Sequence, residues 1–220
     1  MNRRKFLGGL AILGPASAAV TSIVKMTVPV EVADRGNEGG IVANFGGEAR
    51  RRQLFQDMNI PVWTHEGKQA LFYDDLIKDK TVIIQLMYTS DEDRSAKATA
   101  NLSALQGLLG DRLGRDVFMY SITQDPDRDT PDVLANYARR FEAQPGWLFL
   151  TTQGRTAAAN VANFLCATTV KTNNEEGRDD FTAFLKIGVE PLERWGCAPA
   201  LVRPEVLALH LSWVEPGPHQ

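Results

Sequence analysis

The feature that most narrows the fold is an alternation of hydrophobic periods along residues 81–151. Thr81 to Thr89 (TVIIQLMYT) is a β-branched apolar run of the length of a strand buried on both faces. Ala98, Leu102, Leu105, Leu108 and Leu109 follow at three- and four-residue spacing, which predicts a helix ending near Gly110 or Gly114. Asp116 to Thr123 (DVFMYSIT) is a second buried run. Thr130-Pro131-Asp132 then has the form of a helix start, with Thr130 as cap, Pro131 in the first turn and Asp132 complementing the dipole. That helix runs to about Glu142, Trp147 to Thr151 is a third strand, Ala157 to Ala167 a further helix, and Ala183 to Val189 a fourth strand. Strand-helix-strand order of this kind implies an α/β sandwich, a central mixed sheet flanked by helices.

Upstream, Pro61-Val62-Trp63-Thr64 and Gln69-Ala70-Leu71-Phe72 read as two short strands joined by the turn His65-Glu66-Gly67-Lys68, which makes His65 a turn residue. Downstream, Arg194 to Pro199 reads as a loop, Glu205 to Trp213 as a short helix, and the Pro-rich end as a tail. The expected organisation is an export signal at 1–20, a lead-in at 21–58, one domain at 59–213 and a tail at 214–220, a size that suits a single core.

The N-terminus, Asn2-Arg3-Arg4-Lys5-Phe6-Leu7, places paired arginines before an apolar stretch reaching about Val20, with Ala16-Ser17-Ala18 as a cleavage-like site. This has the form of a twin-arginine export signal and points to the periplasm. The stretch is broken by Gly8, Gly9, Gly14 and Pro15 and is shorter than the roughly 18 to 20 residues of a spanning helix, so no stable membrane span is expected. A net charge of -3, with Arg50-Arg51-Arg52 as the longest basic run, gives no footprint for a nucleic-acid backbone.

Residues 114–131 (GRDVFMYSITQDPDRDTP), continuing through Tyr137 and Phe141 to Gly146-Trp147-Leu148-Phe149-Leu150-Thr151, resemble the Sco/SenC family. The most recognisable element is the D-P-x-x-D-T-P core, here Asp125, Pro126, Asp129, Thr130 and Pro131. The resemblance spans about Asn59 to Val189 and implies a thioredoxin-like fold, in agreement with the element order above. It also implies a setting of copper delivery and cytochrome c oxidase assembly, with a respiratory oxidase or its assembly factors as partner.

Family members carry C-x-x-x-C-P after the first central strand and a distant His, which together bind copper. Thiolates and imidazole suit copper, and two Cys at a helix N-terminus can also cycle between dithiol and disulfide. Laid onto this chain, the first Cys falls on Asp91, the second on Ser95, the Pro on Ala96 and the His on Phe181, and no His occurs between His65 and His210. The resemblance therefore implies that the copper ligands are replaced, and no cofactor is assigned. Ser90-Asp91-Glu92-Asp93 has two readings: a helix cap with acidic residues in the first turn, or a hard-metal site. The cap is favoured, because adjacent carboxylates lack the loop spacing of a cation cage.

Cys166 and Cys197 could form a structural disulfide in an exported protein, or Cys166 could be a small buried hydrophobe and Cys197 an exposed loop thiol. Neither follows a central strand, so no catalytic residue is assigned. Met87 and Met119 read as core residues, His210 and His219 as surface residues, and Asp125 and Asp129 as turn and cap residues. Three functions follow in order: a partner-binding Sco-like protein without copper chemistry, a metallochaperone using other ligands such as Asp91, Cys197 or His210, and a thiol-disulfide oxidoreductase.

Overall fold

The computed structural model describes residues 58–166, 182 and 184–216. The expected export signal, Phe181 and the final residues lie outside this set, and of Cys166 only the backbone is described. The elements are β1 (Pro61–Thr64), β2 (Gln69–Leu71), β3 (Thr81–Met87), α1 (Arg94–Leu109), β4 (Val117–Thr123), α2 (Pro131–Arg140), β5 (Trp147–Thr152), α3 (Arg155–Cys166), β6 (Phe184–Val189), β7 (Arg194–Pro199) and α4 (Pro204–Val214). They form a seven-stranded mixed sheet of order β2-β1-β5-β4-β3-β6-β7. The apolar runs read from sequence make its parallel centre: β4 pairs parallel with β3 and β5, while β1 and β6 add antiparallel flanks.

Alternate residues of each central strand feed opposite faces. Ile83, Met87, Met119, Phe149 and Ile187 pack against α1, α2 and α4, whereas Val82, Ile84, Leu86, Ile122 and Leu150 pack against α3 and a helical turn at Phe72–Ile77. Met87 and Met119 are fully buried, as core residues should be.

Two expectations are corrected. The second short strand stops at Leu71, because Phe72 turns into a wide helical segment that buries Phe72, Tyr73, Leu76 and Ile77 under the sheet. The segment Arg194–Pro199 is not a loop but the edge strand β7, paired antiparallel with β6 from Val189↔Arg194 to Phe184↔Pro199. An edge tolerates Pro199. Trp195 can lie flat on the neighbouring strand only because position 188 is glycine, where a Cβ would stand 2.1 Å from the indole.

Candidate functional site

Strands β3, β4 and β5 run parallel, so their C-terminal ends bring three segments together: the loop 88–93, the loop 124–130 and the start of α3. Open α/β sheets present their sites at this end. The first loop contains Asp91 and the first turn of α1 contains Ser95, the two positions onto which the resemblance lays the family cysteines; the second loop contains the D-P-x-x-D-T-P residues up to Thr130, with Pro131 opening α2.

Asp91 sits one turn before α1 and its carboxylate closes that helix end. Oδ1 accepts the amides of Asp93 and Arg94, each at 3.1 Å, and Oδ2 accepts the Ser95 amide at 3.1 Å and the Ser95 hydroxyl at 3.0 Å. Four donors fill the roughly four lone-pair positions of a carboxylate. Burial alone would push the Asp91 carboxyl up, but the bonds from Arg94, Ser95 and Asp93 together outweigh it and hold its pKa below the ordinary range. Ser95 is fully buried, and its hydroxyl also accepts the Tyr88 amide at 3.2 Å. The two positions are thus bonded to each other and to the backbone around them; Asp91 closes the helix end, but the acidic residues precede α1 instead of filling its first turn as expected, because the helix begins only at Arg94.

Beneath Ser95 runs a polar chain through the core. The Thr99 hydroxyl donates to the Ser95 carbonyl at 2.7 Å, and the Gln85 amide nitrogen donates to Thr99 Oγ1 at 3.1 Å. Ser121 donates to Gln85 Oε1 at 2.8 Å, and Trp147 Nε1 donates to Ser121 at 3.0 Å. Gln85, Ser95, Thr99 and Ser121 are all fully buried, so each bond spares a desolvated polar group. The sequence reading missed this chain. The signal was two polar residues, Gln85 and Ser121, in apolar strands at positions that prove to be direct register partners.

Asp129 is 1% exposed: its amide closes the Asp125 turn, but its side chain points inward and is not the cap it was expected to be. Its carboxylate accepts the Thr89 amide at 3.2 Å, the Thr89 hydroxyl and the Thr123 hydroxyl, tying the end of β4 to the loop that leaves β3. The cap is its neighbour: Thr130 accepts the Val133 amide at 3.5 Å, with Pro131 opening α2. Asp125 supplies a turn, its carbonyl accepting the Arg128 and Asp129 amides at 3.1 and 2.8 Å, and its carboxylate lies 3.4 Å from Arg155. Arg155 also pairs with Asp127 at 2.6 Å, and Glu92 forms a bidentate pair with Arg140 at 2.7 Å on both arms.

Other candidates lie elsewhere. Cys197 is an exposed thiol on β7, 4.0 Å from Lys186 Nζ, and His210 on α4 bonds the Val206 carbonyl at 2.8 Å and stacks on Trp213. Among the described residues no three His, Cys, Asp or Glu side chains form a group that could hold a metal ion, so Asp91, Cys197 and His210 are not brought together. His65, read as a turn residue, is half-buried, and its Nδ1 accepts the Phe149 amide at 3.1 Å. Copper's soft-ligand chemistry does not fit the Asp91 carboxylate and the Ser95 hydroxyl.

No helix among the described residues is long and apolar enough to cross a membrane. The chain matches no curated protein sequence. Among solved structures it is similar to a SCO1/SenC family lipoprotein from Bacillus anthracis (18% identity, TM-score 0.56, covering 70% of this chain and 92% of that one). It is also similar to ScoI from Bradyrhizobium japonicum with copper bound (22%, 0.52, 71% and 97%). A third is BsSco, a member of the Sco family of cytochrome c oxidase assembly proteins in which a disulfide switch was identified (17%, 0.53, 70% and 90%). These likenesses show the thioredoxin-like fold. The SCO1/SenC family model matches residues 63–184, more than half of the chain and the stretch that holds both loops, and on that match the chain belongs to the SCO1/SenC family.

Proposed function

We propose that this protein is an exported accessory factor in the family's setting of copper delivery and cytochrome c oxidase assembly, acting by binding a partner rather than by holding copper. The single observation that supports it is the Asp91–Ser95 pair. Where the family resemblance places two soft thiol ligands, this chain has a carboxylate whose oxygens already accept four bonds and a hydroxyl that is fully buried. A metal would have to displace helix-capping bonds to reach either. The loop is kept in place all the same, by Asp129 beneath it and the Glu92–Arg140 pair beside it, which suits a surface that must keep its shape for a partner. The partner in this reading is a respiratory oxidase or one of its assembly factors, and the compartment is the periplasm, reached by the twin-arginine route.

The test is titration of Cu(I) and Cu(II) into purified, signal-trimmed protein under reducing conditions, beside a variant carrying Asp91→Cys, Ser95→Cys and Phe181→His. Stoichiometric copper in the variant and none in the native protein is the expected result. Tight stoichiometric copper in the native protein overturns the reading and calls for a different ligand set.

A further inference from the structure

A cleft of about 540 Å³ lies between α2 and the turn that follows β1, and none of its lining residues belongs to the two loops described above. That volume is in the range of small-molecule sites. Its helical wall is Ala135, Ala138 and Arg139, which share one flank of α2 at three- and four-residue spacing, so methyl groups stand beside a single guanidinium. His65 and Glu142 also line the cleft, Glu142 from the turn just past the helix, where its φ is +53°. Three polar groups of different kind therefore meet there, and each has bonding capacity that the protein leaves unused. His65 Nδ1 accepts the Phe149 amide at 3.1 Å, so the neutral ring carries its proton on Nε2, and among the described residues that N–H has no acceptor. Burial lowers the His65 pKa, which keeps the ring in this neutral, donating form near pH 7. Arg139 bonds only the Asn136 side-chain oxygen and forms no ion pair among the described residues. Glu142 engages Gln106 and Gln144 through its backbone carbonyl, and its carboxylate pairs with nothing among the described residues, Arg139 included. The other carboxylate of the turn, Glu66, is already taken by Lys68 at 2.8 Å.

We propose that this cleft binds a free α-amino acid as its zwitterion, the carboxylate accepting from Arg139 and from His65 Nε2–H, and the ammonium donating to the Glu142 carboxylate. An unpaired cation and an unpaired anion in one small cleft are matched by a head group that carries both charges on adjacent atoms. A ligand with a carboxylate alone would leave Glu142 unpaired beside it, and one with an ammonium alone would meet Arg139 without a counter-charge. The C-terminal end of α2 adds its own preference for the positive group at the Glu142 side. A metal ion is disfavoured, because the Nε2 that lines the cleft holds a proton where a ligand needs a lone pair. The alanine wall leaves the Cα and its substituent room against the helix.

The experiment is an NMR titration of the purified, ¹⁵N-labelled full-length chain with L-alanine, beside propionate and ethylamine, which are the same molecule without its ammonium or without its carboxylate. L-alanine should bind saturably with a Kd of about 1 mM or below, moving the His65 Nε2 resonance and the amides of Glu142 and Gln144. Propionate and ethylamine should each bind at least about tenfold more weakly. Arg139→Gln and Glu142→Gln should each weaken L-alanine at least about tenfold, and since both side chains are exposed, both variants should keep the native melting temperature. No saturable shift up to about 20 mM L-alanine overturns the proposal. So do shifts that saturate elsewhere on the protein, propionate or ethylamine binding as tightly as L-alanine, or an Arg139→Gln or Glu142→Gln variant that binds as the native chain does.

Discussion

Asp129→Ala tests whether the buried aspartate holds the two site loops together. The native carboxylate is 1% exposed and accepts from the Thr89 amide, the Thr89 hydroxyl and the Thr123 hydroxyl. Alanine removes both acceptor oxygens and all three bonds at once. The two hydroxyls can rotate toward other partners, but the Thr89 amide is fixed by the backbone. An orphaned buried donor costs about 1–3 kcal/mol, so the amide alone accounts for roughly 2 and the hydroxyls together add about as much, giving ~3–4 kcal/mol. For a domain of this size each kcal/mol is worth about 2–4 °C, so the melting temperature should fall by roughly 10 °C. Urea denaturation followed by tryptophan fluorescence should show the midpoint moving with little change in slope. Asp129→Asn keeps one acceptor oxygen, and its amide can donate to hydroxyls that reverse, so it should lose only about half as much. A loss below about 1 kcal/mol for Asp129→Ala would mean that the loops are held by packing alone and would refute this account.

Three further predictions concern neighbouring devices. Asp91→Ala should cost about 1–2 kcal/mol by uncapping α1, seen as a lower melting temperature, while the native stabilisation should fade as pH falls through the depressed Asp91 pKa because a protonated carboxyl no longer accepts all four bonds. His65 is lowered from 6.5 chiefly by burial, against the raising effects of Glu66 and of the Phe149 backbone, so the unfolded chain takes up the proton more readily. Stability should therefore drop as pH falls from about 6.5, and His65→Asn, which offers an oxygen to the same amide, should remove that slope in melting curves taken across the range. Gly146→Ala should destabilise by at least ~2 kcal/mol in chemical denaturation, since φ is +99° there and a Cβ would stand 2.3 Å from the Gly114 nitrogen.

The strands β3, β4 and β5 and the helices α1 and α2 were legible because each buries a regular stripe, and burial imposes the period of the backbone on the sequence. Residues 72–77 were less legible. Phe72, Tyr73, Leu76 and Ile77 do recur at helical spacing, but over only six residues, and they follow a strand pattern without a break. Strand β7 was hidden for a different reason: Arg194-Trp195-Gly196-Cys197-Ala198-Pro199 has no strand period of its own and is held by pairing with β6 and by the flat contact of Trp195 on Gly188. In the site, a cap within Ser90–Asp93 was legible because the partners of Asp91 lie within four residues, though the helix begins later than the run of acidic residues suggested. Asp129 was not, because Thr89 lies forty residues away and nothing in D-P-D-R-D-T-P says which aspartate turns inward.

The sequence by itself determined the α/β class, the order of the central elements and the family. Each of these is written in local period or in a motif. Only the tertiary structure decided that Gln85 and Ser121 share a buried bond and that Asp129 joins two loops. Those facts depend on register and on which strands lie side by side, and such contacts between distant segments leave no periodic trace along the chain.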